Sequence, residues 1–388
     1  MTRAVSRPRH MAGLSLVEMM IALVIGLLVM LGVIQIFSAS QSASRLSEGA
    51  SRVQENARFA LEFLERDLRM AGHMGCVNDQ AHVVKGQGDP FNHLDADAGS
   101  GSPLDFHVAV QGYEAPDTAP GAVLTVGGDG AQPADLPPAI GALSPAPAGG
   151  SDILVLRFLG AEGVPVNAIG LDSGNSTVTG ESERMARMLK DGVSAPTLYG
   201  IADCGHANIF AGSLSGNQVS APGVDLTRYT TQPTGQTMLY RAESLVYYIG
   251  ANASTGVNGL RRARADATGG YTNNEEVVEG IENMQLMFGL DSTPEISLTA
   301  PPVGSVTESA VATGVTTETN AAGAGQWLRV GQVKVGLLAV SPDRSSSVAP
   351  TNRPAVLGVE FAQGASNDGR YRAGYEISVA LRNRLFGN

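Results

Sequence analysis

The sequence predicts an α+β protein: one long N-terminal helix, membrane-spanning in its first half, packed on an antiparallel β-sheet with long loop insertions. Three observations carry this expectation. Leu14 to Phe37 form an apolar run of 24 residues with no Lys or Arg. Residues 45–71 place apolar side chains at helical spacing, and beyond Cys76 the strand-like runs are short and widely separated.

The apolar run comes first. At 1.5 Å per residue it spans ~36 Å, enough for the ~30 Å hydrocarbon core. Its polar members are Ser15, Glu18 and Gln35. Arg3, Arg7 and Arg9 precede it, so charge bias holds that end in the cytoplasm and sends the rest of the chain outward. Glu18 then sits about one turn inside the bilayer. An ionisable group there is by default functional and in need of a partner. Cutting the chain after Gly13 would supply one, because the free α-amine of Leu14 could pair with Glu18 of the same or a neighbouring chain. The competing reading is a plain single-pass anchor, or an ordinary signal peptide cut near Ala39-Ser40-Gln41, although no polar break occurs before Ser38.

Gly13-Leu14-Ser15-Leu16-Val17-Glu18 resembles the type IV prepilin signature: a short basic leader, Gly before the scissile bond and Glu at the fifth position after it. The resemblance implies cleavage between Gly13 and Leu14 by a prepilin peptidase, and N-methylation of Leu14 by the same enzyme. Phe is usual where this chain has Leu14, a departure that keeps the apolar character. The implied division is a leader at 1–13, a transmembrane half-helix at 14–37, an amphipathic extension at 38–72 and a β-rich domain at 73–388.

A helix continuing past the membrane is expected, since no Pro lies between Pro8 and Pro90. Val53, Ala57, Ala60, Leu61, Leu64, Leu68 and Ala71 gather on one face. Arg52, Glu55, Arg58, Glu62, Glu65, Arg66 and Arg69 occupy the remainder, with Glu62–Arg66 and Glu65–Arg69 at favourable i,i+4 spacing. Gly72 and Gly75 are stop signals. From Leu14 to Ala71 such a helix measures ~87 Å. Its second half packs most simply on a sheet of the same chain; a coiled coil with another chain is the competing use. Gln41, Ser42, Ser44, Ser47 and Ser51 make a polar patch between the halves.

The strand candidates are Leu104–Gln111, Ala122–Val126, Asp152–Phe158, Gln236–Tyr240, Leu245–Ile249, Met284–Leu290, Trp327–Ala339 and Tyr375–Leu381. Asp152–Phe158, apolar on both faces, reads as a central strand, and Val277–Asn283 as a turn leading into the next. Residues 112–150 and 292–325 show no sustained period and read as loops, solvated or facing a partner. Tyr247-Tyr248-Ile249, the stretch Val278-Glu279-Gly280-Ile281-Glu282 to Met284-Gln285, Trp327-Leu328-Arg329-Val330 with Val333-Lys334-Val335, and Leu381-Arg382-Asn383-Arg384 resemble the PilW minor pilins. The two long loops lend that resemblance nothing.

The net charge of −11 becomes −14 once the leader's three arginines are lost, which argues against a general nucleic-acid surface. Aromatics at 5% predict a modest core, and 48 Gly with 20 Pro suit an exported, loop-rich chain. Cys76 and Cys204 are the only cysteines. An envelope setting permits them to pair, closing a loop worth ~4 to 5 kcal/mol in the chain-entropy model; two free buried thiols or an intermolecular bridge are the other readings.

No phosphate loop, nucleophile elbow or EF-hand is present, and His73, His82 and His206 lack ligand spacing. Leu171–Gly180, with Gly174, Asn175 and Ser176, reads as a loop, and Asp152, Asp191, Asp203, Glu243 and Glu279 as scattered solvated carboxylates. The expectation is therefore a non-enzyme with no cofactor and no metal. The PilW resemblance implies a minor pilin that helps initiate type IV pilus assembly, at the tip or in a priming complex. It also implies partners: prepilin peptidase, other minor pilins, the major pilin and the inner-membrane assembly platform. The protein would sit in the inner membrane with its C-terminal domain in the periplasm, then enter an extracellular pilus. A type II secretion minor pseudopilin and a membrane-anchored adhesin, enzyme or binding module are the alternatives.

Overall fold

The structure, a computed structural model, describes residues 15–78, 91–128, 130–190, 193–296, 300, 302–315, 325–345, 353–364 and 368–383. The leader 1–13 and Leu14 lie outside these.

Helix α1 (Leu16–Met70) is 55 residues long, ~82 Å at 1.5 Å per residue. It starts where Ser15, extended at φ −67 and ψ 143, caps it. It stops where Ala71 leaves helical geometry and Gly72 takes φ +74, a left-handed turn that Gly enters without Cβ strain. Gly49, Val53, Ala57, Ala60, Leu64, Asp67 and Leu68 are its buried positions. The extension therefore packs on the chain's own sheets, as the simpler expectation had it. Gly49 is required by close approach, because a methyl group there would lie 2.5 Å from Ser345 Oγ.

The strands used below are β1 (Val110–Tyr113), β2 (Ile153–Leu159), β3 (Val164–Asp172), β4 (Asn175–Gly180), β5 (Leu198–Ala202), β6 (Ala207–Ala211) and β7 (Gln218–Ala221). They continue with β8 (Met238–Ala251), β9 (Asn258–Ala265), β10 (Tyr271–Glu279), β11 (Ile281–Asp291), β12 (Val306–Ala310), β13 (Val330–Arg344) and β14 (Arg370–Ala380). A short helix α2 (Ser182–Met188) follows β4.

Two sheets matter. In the first, β8 is the hub: Met238–Arg241 pair with β5, Ala242–Tyr247 with β2, and Leu245–Ala251 with β9. Beyond β2 lies β1, beyond β9 lies β10, and β3, β4 and β7 extend the sheet into a distal lobe. The second has the order β12-β11-β13-β14, all antiparallel. Between α1 and these sheets lies a core that includes Val53, Leu64, Leu156, Tyr247, Phe288, Trp327 and Val335. The distal lobe has its own core of Val164, Val178, Met185, Tyr199, Phe210 and Leu239.

Several expectations need correction. Gln236–Tyr240 and Leu245–Ile249 are one continuous strand, β8; the apparent break at Arg241, Glu243 and Ser244 is buried polar sequence, neutralised when Glu243 pairs with Arg241 and Arg264. Leu104–Ala109 is not strand, because the Asp105 carboxylate accepts the Gly99 N–H at 2.8 Å and the His107 N–H at 3.2 Å, folding the segment back on itself. Leu171–Gly180 is not a loop but a hairpin, turned at Ser173 (φ 51) and Gly174 (φ 83). Val277–Glu279 ends β10, and the turn is confined to Gly280 at φ +72. Trp327 lies in a 3-10 turn, Gly325–Arg329, before β13 begins. Residues 112–150 hold the expected strand, at Val123–Thr125, yet also bury Ile140 and Leu143 against β2 and β8, and residues 292–325, read as loop, contain β12.

Candidate assembly surface

The surface with most to say is α1, where two kinds of apolar face meet end to end. Leu16, Ile21, Leu28, Ile36 and Phe37 are all more than half exposed. This is the one helix among the described residues long and apolar enough to cross a membrane, by length and composition. Glu18 is the carboxylate of a capping box: its Oε2 accepts the Ser15 backbone N–H at 3.3 Å, while Ser15 Oγ accepts the Val17 N–H at 3.3 Å. Gly13 and Leu14, the expected cleavage pair, fall outside the described residues. Gln41, Ser42, Ser44, Ser47 and Ser51 are exposed, and Ser42 and Ser51 turn their hydroxyls to the carbonyls of Ser38 and Ser47.

At the other end the helix is locked to its sheets by charge. Asp67 interrupts the apolar stripe and is buried with it. Its Oδ2 accepts the Tyr247 hydroxyl at 2.6 Å and Arg262 Nη1 at 3.2 Å, and its Oδ1 accepts Arg66 Nε at 3.0 Å. Arg262 also reaches Glu275 at 2.5 Å. Burial, with the Asp67 charge beside it, pushes the Tyr247 phenol well above its ordinary range. Past the helix end, Asn383 Nδ2 donates to the carbonyls of Arg69 at 3.0 Å and Ala71 at 3.4 Å. With Gly49 against Ser345 at the opposite end, β13 runs antiparallel to α1 and turns its C-terminal end toward the apolar half.

Cys76 and Cys204 form a disulfide across a sequence separation of 128. It joins the segment leaving α1 to the turn between β5 and β6.

Among the described residues the scattered carboxylates do not converge on one site. Glu243 belongs to the arginine network of β8, and Asp203 accepts the N–H groups of Gly205 and His206 in its own turn. The Glu279 carbonyl accepts Asn56 Nδ2 at 3.1 Å, and Asp191 lies outside the described residues. His73 Nδ1 lies 2.8 Å from the Leu159 carbonyl, and His206 lies 3.7 Å from Asp203; His82 lies outside the described residues. Among the described residues no group of three or more His, Cys, Asp or Glu is arranged to hold a metal.

Sequence reading missed the Asp67 lock and the Asn383 clamp. A carboxylate three residues after Leu64 and beside Leu68, inside an otherwise apolar stripe, was the available signal for the first. Nothing local marks the second.

Two family models match the chain. Residues 246–383 match the model described as Type IV Pilus-assembly protein W, and residues 8–34 match the Prokaryotic N-terminal methylation motif. The first begins inside β8 and runs past β14, so it includes the second sheet and the Tyr247, Arg262 and Glu275 side of the helix lock. A solved type IV-like pilin from Thermus thermophilus is 14% identical, with 58% of this chain and 86% of that one covered, at a TM-score of 0.20, too low to compare the two folds. No curated protein matches. The similarities are to a pilus-assembly protein and to an N-terminal methylation motif, a structural setting and not a catalytic one, and they support a general pilus-related role.

Proposed function

We propose that this protein is a minor pilin that helps initiate type IV pilus assembly, at the pilus tip or within a priming complex. The observation that carries the reading is the pairing of a prokaryotic methylation motif at 8–34 with a PilW-like segment at 246–383 on a chain whose first helix leaves its apolar half uncovered. In this reading 1–13 is the leader, 14–37 crosses the inner membrane, 38–72 carries the helix into the periplasm and 73–388 is the exported domain. Prepilin peptidase cuts between Gly13 and Leu14 and methylates Leu14. Glu18 keeps one carboxylate oxygen on the Ser15 amide and offers the other to the Leu14 amine of its own or a neighbouring subunit, in apolar surroundings that strengthen the pair. Lateral packing of the apolar half-helix against other minor pilins, the major pilin and the inner-membrane assembly platform follows from having no internal partner.

The test has two levels. Deleting the gene should sharply reduce surface pili and twitching motility with the major subunit still expressed; normal piliation in the deletion strain rejects the proposal, and lost protein export with intact motility transfers it to a type II secretion pseudopilin. At residue level, Glu18→Ala and Glu18→Gln should be exported and cleaved yet fail to co-purify with pilus subunits. Wild-type incorporation of both removes the pairing role. Gly13→Phe should remain uncleaved by mass spectrometry, and efficient cutting at the original bond rejects that site.

A further inference from the structure

The two faces of the first sheet are built differently. Toward α1 it turns residues such as Leu156 and Tyr247 into the apolar core. Side chains alternate along a strand and cross-strand partners share a face, so the pairings fix what the opposite face carries. Gln111 on β1 is opposite Val155 on β2, and Tyr113 opposite Ile153. Two residues along from Val155, Arg157 is opposite Ser244 on β8. One step past the Leu245–Arg264 pair, Ser244 comes beside Ala265 on β9, which is opposite Tyr271 on β10. Arg157, Ser244 and Tyr271 thus lie in one row across the strands, with Gln111 and Tyr113 alongside.

Residues 99–108 close over this face. Arg157, 0% exposed, holds them by donating to the carbonyls of Ser102 at 2.7 Å, Val108 at 2.8 Å and Pro103 at 3.3 Å. Gly101 comes down onto the face at φ +72: a methyl group there would lie 2.7 Å from the Tyr113 hydroxyl and 3.6 Å from Gln111 Nε2. Both side chains therefore reach the same point beneath the cover.

Four buried polar atoms on this face have no protein group in hydrogen-bonding position: the hydroxyls of Tyr113, Tyr271 and Ser244, and Gln111 Oε1. Ser244 is 0% and Gln111 4% exposed. The groups are neighbours. Burial pushes the Tyr271 phenol up, against the Arg157 charge and the adjacent Ser244 hydroxyl, and Tyr271 in turn acts on Tyr113. Buried polar atoms in folded proteins are nearly always bonded, to protein or to ordered water, and an unmet hydroxyl or amide in the interior is costly.

The chemistry selects the guest. A metal cation is opposed by the Arg157 guanidinium on the same face. An anion would accept the hydroxyl protons but meet the lone pairs of Gln111 Oε1. Water both donates and accepts, and a buried water makes about three hydrogen bonds to groups of this kind. We propose that the face of the first sheet turned away from α1 holds an internal water site, closed by residues 99–108, in which ordered water bridges Tyr113, Gln111, Ser244 and Tyr271. The sheet is then dry under its helix and wet under its cover, and the cover is held by solvent as well as by Arg157.

Full-length protein in detergent micelles tests this. Tyr113→Phe and Tyr271→Phe each delete one hydroxyl and keep the ring. Each should lower the folded-to-unfolded ratio ~2- to 10-fold in a urea titration, the range for one lost hydrogen bond. A buried hydroxyl with no partner is better removed, so an unchanged or higher ratio in either Phe variant overturns the shared site. Ser244→Ala should cost a similar factor, and a smaller one in the Tyr271→Phe background, because the two hydroxyls share water. The unmutated protein gives the direct reading: nuclear Overhauser transfer from water to the Gly101 amide and the Gln111 side-chain amide should carry the sign of a long-lived bound water, and its absence overturns the proposal. A loss confined to the Tyr271 and Ser244 variants, with no transfer at Gly101, means that those two hydroxyls bond each other directly and overturns it as well.

Discussion

The two halves of α1 share one backbone and differ in what surrounds them. From Leu16 to Phe37 large apolar side chains point in every direction and remain exposed, whereas from Gly49 to Leu68 the buried positions form one stripe, with Arg58, Glu62 and Arg66 on the outside. The extension has found its partner inside the chain; the first half needs one from elsewhere, lipid or another helix. A continuous helix couples them, so whatever holds the extension to its sheets also fixes where the apolar half points.

That contrast can be broken most severely in the buried stripe. Leu64→Ala opens a cavity under the helix and should cost ~2 to 5 kcal/mol, whereas Leu28→Ala should change domain stability by less than about 0.5 kcal/mol. Unfolding followed by fluorescence of Trp327, the only tryptophan and 2% exposed, compares the two directly; equal costs would mean the halves are not energetically distinct.

Next is the tie beyond the helix end. Replacing Cys76 and Cys204 together with Ser should lower stability by ~2 to 4 kcal/mol, chiefly by freeing the unfolded chain, and denaturant titration reads the loss. Smaller again is Asp67→Ala, which orphans the buried Tyr247 hydroxyl at a cost of ~1 to 3 kcal/mol. Asp67→Asn should recover part of it, and full stability in Asp67→Ala would remove the lock from the account. Least is Ser15→Ala, worth ~1 kcal/mol locally as a lost cap. Its effect should be confined to faster hydrogen exchange in the first turn, with the domain's unfolding midpoint unchanged.

The helix was legible because its signals are local and repeated: an apolar run, a stripe from Val53 to Ala71, Ser15 before the start and Gly72 after the end. The exposed apolar end was legible for the same reason, and the partner that Glu18 has within the described residues is the Ser15 amide. The hub strand β8 was less so. Arg241 and Glu243 look like a break in β8 until Arg264 arrives from β9 to complete the charge set, a meeting that no window of sequence displays. The β3–β4 hairpin hid differently. Its outer residues, Asn167 to Asn175, are mostly exposed, so apolar alternation fades where turn chemistry takes over. Asp152 read as a solvated carboxylate because its burial depends on Leu286, far along the chain. The candidate assembly surface was thus largely visible, and its anchoring to the domain was not.

One consequence of the Cys76–Cys204 bond concerns tension. A chain pulled by its helix and held at β8 would, without that bond, be free to pay out the stretch between Cys76 and Cys204, roughly 430 Å when fully extended at ~3.4 Å per residue. With the bond present, force leaving the end of α1 enters the turn between β5 and β6 through sulfur, and the 128-residue interval it closes is excluded from the stretch.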